Sequence, residues 1–277
     1  MKNNYGLNSL FGSKEMFRMA CTPTGKLLKF SRMTQSRRRK LTYNNMHLTE
    51  GMRFTGANGF PMVDPYQESV SFSVSPFTSH CSVTDKARAL HFFLDDCRFD
   101  NAVWKNLERT TYALLGFDTL FAPDFSLYVD MPEALNKFAV YKSRFAAAFW
   151  QRCGFSVIPV ASWAGAPSFK YCLDGLPTGS VIAVCGTGHG RHRWQRELWH
   201  YGLRRVDDEL QPTTILVYGE EESLPALNAQ VVFIQDFIHS RLRSIGRKSV
   251  SSKTSMNTEN DLFNIKNQRK GDLNNGY

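Results

Sequence analysis

The stretch SVIAVCGTGHGRHRWQRELWHYGLRRVDDELQPTTILVYG, residues 180–219, carries the pattern that decides the fold. Residues 180–186 and 213–219 are short runs, apolar on both faces, as strands covered by helices on both sides must be. Between them, Trp194, Leu198 and Tyr201 recur at helical spacing over residues 191–210, and Pro212 closes the helix. Strand, helix and strand within forty residues make a βαβ unit, whose two strands are parallel and whose crossover is right-handed.

The same alternation runs outward in both directions. Apolar runs recur at residues 90–95, 118–124, 155–162 and 230–235. Helices are predicted over 101–115, where Val103, Trp104, Leu107, Thr111 and Leu114 share a stripe, and over 131–153, with Leu135, Phe138, Phe145 and Phe149. Gly154 supplies a stop for the second. Residues 69–75 alternate with period two and predict a further, antiparallel edge strand. The expected fold class is therefore α/β, a mostly parallel sheet of about six strands, either an open doubly wound sheet or an incomplete β/α barrel.

Charge is unevenly spread along the 277 residues. Residues 1–60 hold 11 Lys and Arg against 2 acids, and residues 239–277 hold 8 against 3. The middle, 61–238, holds 15 against 20, so a mildly acidic body lies between two basic arms. The N-terminal arm is expected to be irregular, the C-terminal one disordered. Arg37, Arg38, Arg39 and Lys40 form a run suited to phosphate backbones, which makes DNA or RNA the expected partner. No apolar run is long enough to span a bilayer and the N-terminus lacks a signal-peptide pattern, so no membrane contact and a cytoplasmic location are expected. Six scattered cysteines without a CxxC pair read as reduced, mostly buried thiols.

Parallel α/β folds place their ligands at the carboxyl ends of the strands. That rule selects Asp95, Asp124 with Ser126 and Tyr128, Trp163, His189 and Glu220. Asp95 and Asp124 are the expected holders of a divalent metal or of acid–base chemistry, and Trp163 a stacking surface. Gly186, Thr187 and Gly188 open a GTGHG loop that can cradle phosphate. Asp96 is expected to cap the following helix, Asp130 to open a capping box with Glu133, and Asp174-Gly175 to make a turn.

The motifs HFFLDD (91–96), PDFSLYVDMP (123–132), W-Q-x-C-G-x-x-V-I-P-V-x-x-W (150–163), SFKYCLDGLP (168–177), SVIAV (180–184) and PTTILVYG (212–219) occur in this order. Together they resemble the family called domain of unknown function 4417, over residues 80–236. The resemblance implies a compact α/β domain carried by phages, plasmids and integrating elements. It also implies that the DD, PDFSLY, VIP-to-Trp and DGLP segments share one core. Three functions are then expected in order: an enzyme of a phage or mobile element acting on nucleic acid or nucleotides; a non-catalytic nucleic-acid-binding or replication accessory protein; and a carbohydrate-active barrel.

Overall fold

The computed structural model describes residues 42–70, 73–82, 89–187, 192–219 and 224–234. The chain divides into two units, Met1–Gln235 and Asp236–Tyr277, and the second lies outside the described residues. Among the described residues of the first there are seven strands: β1 Val74–Pro76, β2 Ala89–His91, β3 Thr119–Phe121, β4 Ser156–Ile158, β5 Val181–Cys185, β6 Thr214–Tyr218 and β7 Gln230–Ile234. The α-helices among the described residues are α1 Leu107–Ala113, α2 Glu133–Arg152 and α3 Arg193–Leu210. The helix predicted from residue 101 starts as a π-helical turn, Asn101–Lys105, before α1. At the end of α3, Gln211 turns left-handed (φ 45°) ahead of Pro212.

Every strand pairing is parallel, in the orders β1-β2-β3-β4 and β5-β6-β7. A single parallel bridge, Val160 to Ala183, joins the two sets, so the strands lie side by side in chain order. A doubly wound sheet reverses its strand order at a switch point, and no reversal occurs among the described residues. The strands also curl. The His91 ring at the end of β2 lies 4.5 Å from that of Tyr218 at the end of β6, and Phe93 stacks on Tyr218 at 4.8 Å. Alternation along the strands agrees. Ile182, Val184, Ile215 and Val217 pack outward with Leu203, Val206 and Leu210 of α3. Val181, Ala183, Leu216, Tyr218 and Ile234 instead join Leu90, Leu120 and Phe121 in the other core. Of the two expected architectures, the unreversed strand order and the curl fit the incomplete β/α barrel.

The strand expected to be an antiparallel edge is β1, and it runs parallel to β2, with Val74 opposite Ala89. Its alternating pattern was a correct sign of a strand but carried no direction. Upstream of it, residues 64–70 cross the N-terminal ends of the strands. There the Tyr66 N–H donates to Ser180 Oγ (2.9 Å), Val181 N–H donates to Tyr66 O (3.2 Å), and Ser156 Oγ donates to Glu68 (2.6 Å). Earlier residues also belong to the folded body. Leu48 and Val63 are core residues, and a hairpin closed by the Phe54–Pro61 bridge packs on the Asp174-Gly175 turn. The body thus takes in residues that composition alone assigns to the basic arm.

Trp150 is the largest wholly buried side chain, and its indole N–H finds Thr111 Oγ1 at 2.9 Å, joining α2 to α1. Gly202, in mid-helix on α3, faces Trp163, and a Cβ built there would sit inside the indole ring. Replacing glycine by alanine in an open helix stabilises by about 1 kcal/mol. Here overpacking outweighs that gain. Gly202→Ala is expected to lower stability by about 1–3 kcal/mol in urea unfolding, whereas a gain in stability would show that the ring does not rest there.

Candidate functional site

Asp124 stands three residues beyond β3, and Ser162 four beyond β4, so parallel pairing of these strands brings them to one end of the barrel. The Ser162 hydroxyl donates a short hydrogen bond to Asp124 Oδ1. Asp96, after β2, turns toward the same place and accepts from the Ser126 N–H (3.1 Å) and the Ser126 hydroxyl (2.9 Å). Three adjacent strand ends are thus tied by carboxylate–serine contacts.

Arg144 of α2 lies behind them, 2% exposed. Its guanidinium donates to the carbonyls of Val160 (3.0 Å), Cys172 (2.7 Å) and Asp174 (3.3 Å). Burial holds it below the usual arginine range, at about 10, while the nearby Cys172 thiolate form, Asp174 and Asp124 act the other way. The Asp124 carboxyl is pushed up from the ordinary 3.8 to about 6. Its burial is the main cause, opposed by the Ser162 hydrogen bond, reinforced by the charge of Asp96 and opposed again by Arg144. The Cys172 thiol is pushed by burial to about 12, which leaves it without nucleophilic character at neutral pH.

The surrounding loops are fastened by side chains. Asn136 on α2 accepts from the Tyr128 N–H (3.0 Å) and donates to the Tyr128 carbonyl (2.9 Å), pinning the PDFSLY segment to the first turns of the helix. Asp174 accepts from Thr55 Oγ1 and Asn58 Nδ2, both at 2.9 Å. Gly175 has φ +81°, and a Cβ there would meet Pro61 O at 2.7 Å, so the DGLP turn is the seat of the 54–61 hairpin as well as a turn.

Asp124, Ser126 and Trp163 come to this end of the barrel, but not all in the expected roles. Asp95 is exposed and pairs with Arg98 at 3.4 Å, while its neighbour Asp96 enters the site. The sequence favoured Asp95 because Asp96 was taken up as a cap, yet the Asp96 carboxylate is spent on Ser126. Among the described residues no three His, Cys, Asp or Glu side chains cluster as metal ligands. Tyr128 is 51% exposed and tied only through its backbone. Trp163 lies against Gly202, so its ring is part of the α3 packing. Asp130 is exposed and caps nothing; the N-cap of α2 is Pro132, without a side-chain cap. Glu133 pairs with Lys137 (2.8 Å) instead of reaching back.

Gly186 has a packing reason for its lack of a side chain. Its N–H donates to Tyr218 O (2.7 Å), and a Cβ would lie 3.0 Å from Val217 and 3.2 Å from Tyr218 O. Thr187 Oγ1 contacts the Cys185 thiol at 3.1 Å. Gly188, His189, Glu220 and the run Arg37, Arg38, Arg39 and Lys40 lie outside the described residues. The five described cysteines are free thiols; Cys153 and Cys172 are buried, but Cys81 and Cys97 are exposed, against the expectation of mostly buried thiols. Among the described residues no helix is long and apolar enough to cross a membrane. A concavity of about 490 Å³ lies at the opposite ends of the strands, between residues 67–70 and Val181, Thr214 and Gln230. Its one charged lining residue, Glu68, is engaged by Ser156, and the Asp124 end remains the candidate.

Sequence reasoning missed Arg144 and Ser162. Arg144 left a signal, a cation directly abutting the apolar run FAAAFW, residues 145–150. Ser162 left none, since its role depends on strand pairing.

The model of a family described as a domain of unknown function (DUF4417) matches residues 52–237. The Gene 1 protein of Mycobacterium phage L5 is 43% identical over 132 residues, which are 48% of this chain and 57% of that protein. The Gene 1 protein of Mycobacterium phage D29 is 40% identical over 131 residues, 47% of this chain and 48% of that protein. The chain thus spans about half the length of the curated relatives it matches. No solved structure matches.

The raised Asp124 carboxyl has a consequence for stability. The native state binds a proton more tightly than the unfolded chain, so stability is fully present below about pH 4 and declines as pH rises through about 6. Relative to wild type, Asp124→Asn is expected to lose this decline, a difference growing by up to about 1.4 kcal/mol per pH unit across that window. Urea unfolding at pH 4 to 7 reads it directly, and a wild-type-minus-variant difference independent of pH would contradict it.

Proposed function

We propose a function from one premise: the chain belongs to the DUF4417 family, a domain of unknown function. Its barrel is an enzyme of nucleic acids or nucleotides in which Asp124 moves a proton to or from the reacting group. The observation that supports this most is the place and state of that one carboxyl. It stands at the C-terminal strand ends, where barrels of this kind react their substrates, and its pKa of about 6 leaves both protonation states accessible near neutrality. Ser162 orients it, and the Asp96–Ser126 contact supports the neighbouring backbone. The polyanionic substrate class follows from the charge layout, two basic arms on a mildly acidic body.

Asp95 faces Arg98, so in this scheme it is not paired with Asp124 as a metal ligand, and Asp124 acts as an acid–base group. One observation favours a second reading, the non-catalytic accessory protein: Asp124 is already engaged by Ser162, as a purely structural carboxyl would be.

The two separate in one experiment. Single-stranded DNA, duplex DNA, RNA and nucleoside triphosphates are offered to wild type and Asp124→Asn, with and without magnesium or manganese. The enzyme reading expects turnover by wild type that falls by about 100-fold or more in the variant, with oligonucleotide binding unchanged. Equal turnover by both proteins would remove Asp124 from the chemistry. Binding without turnover by either would leave the accessory reading.

A further inference from the structure

The outer face of α3 carries a charge pattern that the fold does not call for. Residues 193–205 hold Arg193, Arg196, Arg204 and Arg205 against Glu197 alone, a local excess of three positive charges on a body that is otherwise acidic. The order opposes the helix dipole. Cations are favoured at a helix C-terminus and acids at its N-terminus, yet α3 has no acid in its first turn and no base in its last. Of the three acids at the far end, Asp207 is buried and accepts from Asn228 and Ala229, Glu209 pairs with Arg205, and Asp208 is exposed. Glu197 answers Arg193 at 2.7 Å, but both are exposed, and such a pair contributes little.

Two aromatic residues stand among these cations. Trp194 is 55% exposed and Tyr201 39% exposed. They are seven residues apart, two turns and about 10 Å along the axis, on the same stripe of the helix. The apolar face of α3, with Leu203, Val206 and Leu210, is already buried against β5 and β6, so the exposed rings are not the apolar side of a membrane-surface helix. The face is also linked to the candidate site through packed rings. The Tyr201 ring meets Phe169 edge-on at 5.4 Å, Phe169 lies 6.3 Å from Trp163, and Trp163 follows Ser162 in the chain.

We propose that the outer face of α3 is a binding surface for single-stranded nucleic acid, with Arg193, Arg196 and Arg204 on the phosphates and Trp194 and Tyr201 stacking on exposed bases. Cations interleaved with exposed rings suit a single strand, whose bases present their faces, better than a duplex or an acidic peptide. This rests on the reading that the chain handles nucleic acid and places part of that contact on the folded body beside Asp124, in addition to the arms.

The test is fluorescence anisotropy of the full chain with a labelled mixed-sequence single-stranded DNA 20-mer, over a series of salt concentrations, with folding of each variant checked by circular dichroism. Replacing Arg193, Arg196 and Arg204 together by Gln is expected to weaken binding at low salt by about tenfold or more and to reduce the log–log salt slope by about 2. Trp194→Ala is expected to weaken binding roughly tenfold while leaving the slope unchanged. Wild-type affinity and slope in the triple variant would overturn the proposal, as would failure of wild type to bind the single strand, or tighter duplex binding indifferent to Trp194. The outcome is separable from the catalytic reading. Turnover lost in Asp124→Asn with binding unaffected by the α3 variants would keep that reading and remove this one; the converse pattern would do the reverse.

Discussion

One buried guanidinium organises the end of the barrel where the candidate site lies. Taking an arginine out of water costs several kcal/mol unless its N–H groups find acceptors, and Arg144 finds them in carbonyls rather than in a partner carboxylate. Those carbonyls belong to Val160, just past β4, and to Cys172 and Asp174 in the loop ahead of β5. A single side chain of α2 therefore fixes the exit of β4 and the turn in the loop that leads to β5. Its positive charge is left without a direct carboxylate contact. It acts instead on Asp124, limiting how far burial can raise that carboxyl. The Asp174 side chain, positioned by the same turn, then holds Thr55 and Asn58 of the N-terminal hairpin. Removal of Arg144 would disturb the site, the turn and the hairpin together.

Much of the fold was legible because strands buried on both faces and helices with one apolar stripe write different periods into the sequence. Residues 180–219 show this best: both strands, the helix and its stop at Gln211-Pro212 lie where the pattern puts them. Direction and curl were not legible. Residues 69–75 alternate as a strand does, but whether β1 runs with or against β2 depends on the chain between them. The curl of the strands shows itself only in the contact of Tyr218 with His91 and Phe93, residues far apart in the sequence.

At the site, Asp124 was legible as a strand-end carboxylate too early to cap the next helix. Its neighbours were not. Asp95 and Asp96 are adjacent, and one residue of register decides which enters the site and which faces solvent. Asp130 had the spacing of a capping box, yet the chain entering α2 is fixed instead by Asn136 gripping the backbone of Tyr128. The glycine at position 186, in a loop that resembles phosphate-loop chemistry, also has a packing reason, since a Cβ there would lie 3.0 Å from Val217 and 3.2 Å from Tyr218 O. A local motif states what a residue is able to do; tertiary contacts decide which ability is used.

The candidate site turns on the state of one carboxyl, set among a serine hydroxyl, a second carboxylate and a buried arginine. Carbon-13 NMR titration of the Asp124 side-chain carboxyl, assigned by comparison with Asp124→Asn, measures that state without recourse to substrate or activity. The predicted midpoint is about 6. A midpoint near the ordinary 3.8 would mean that the carboxyl is solvated and unconstrained, and would contradict the site described.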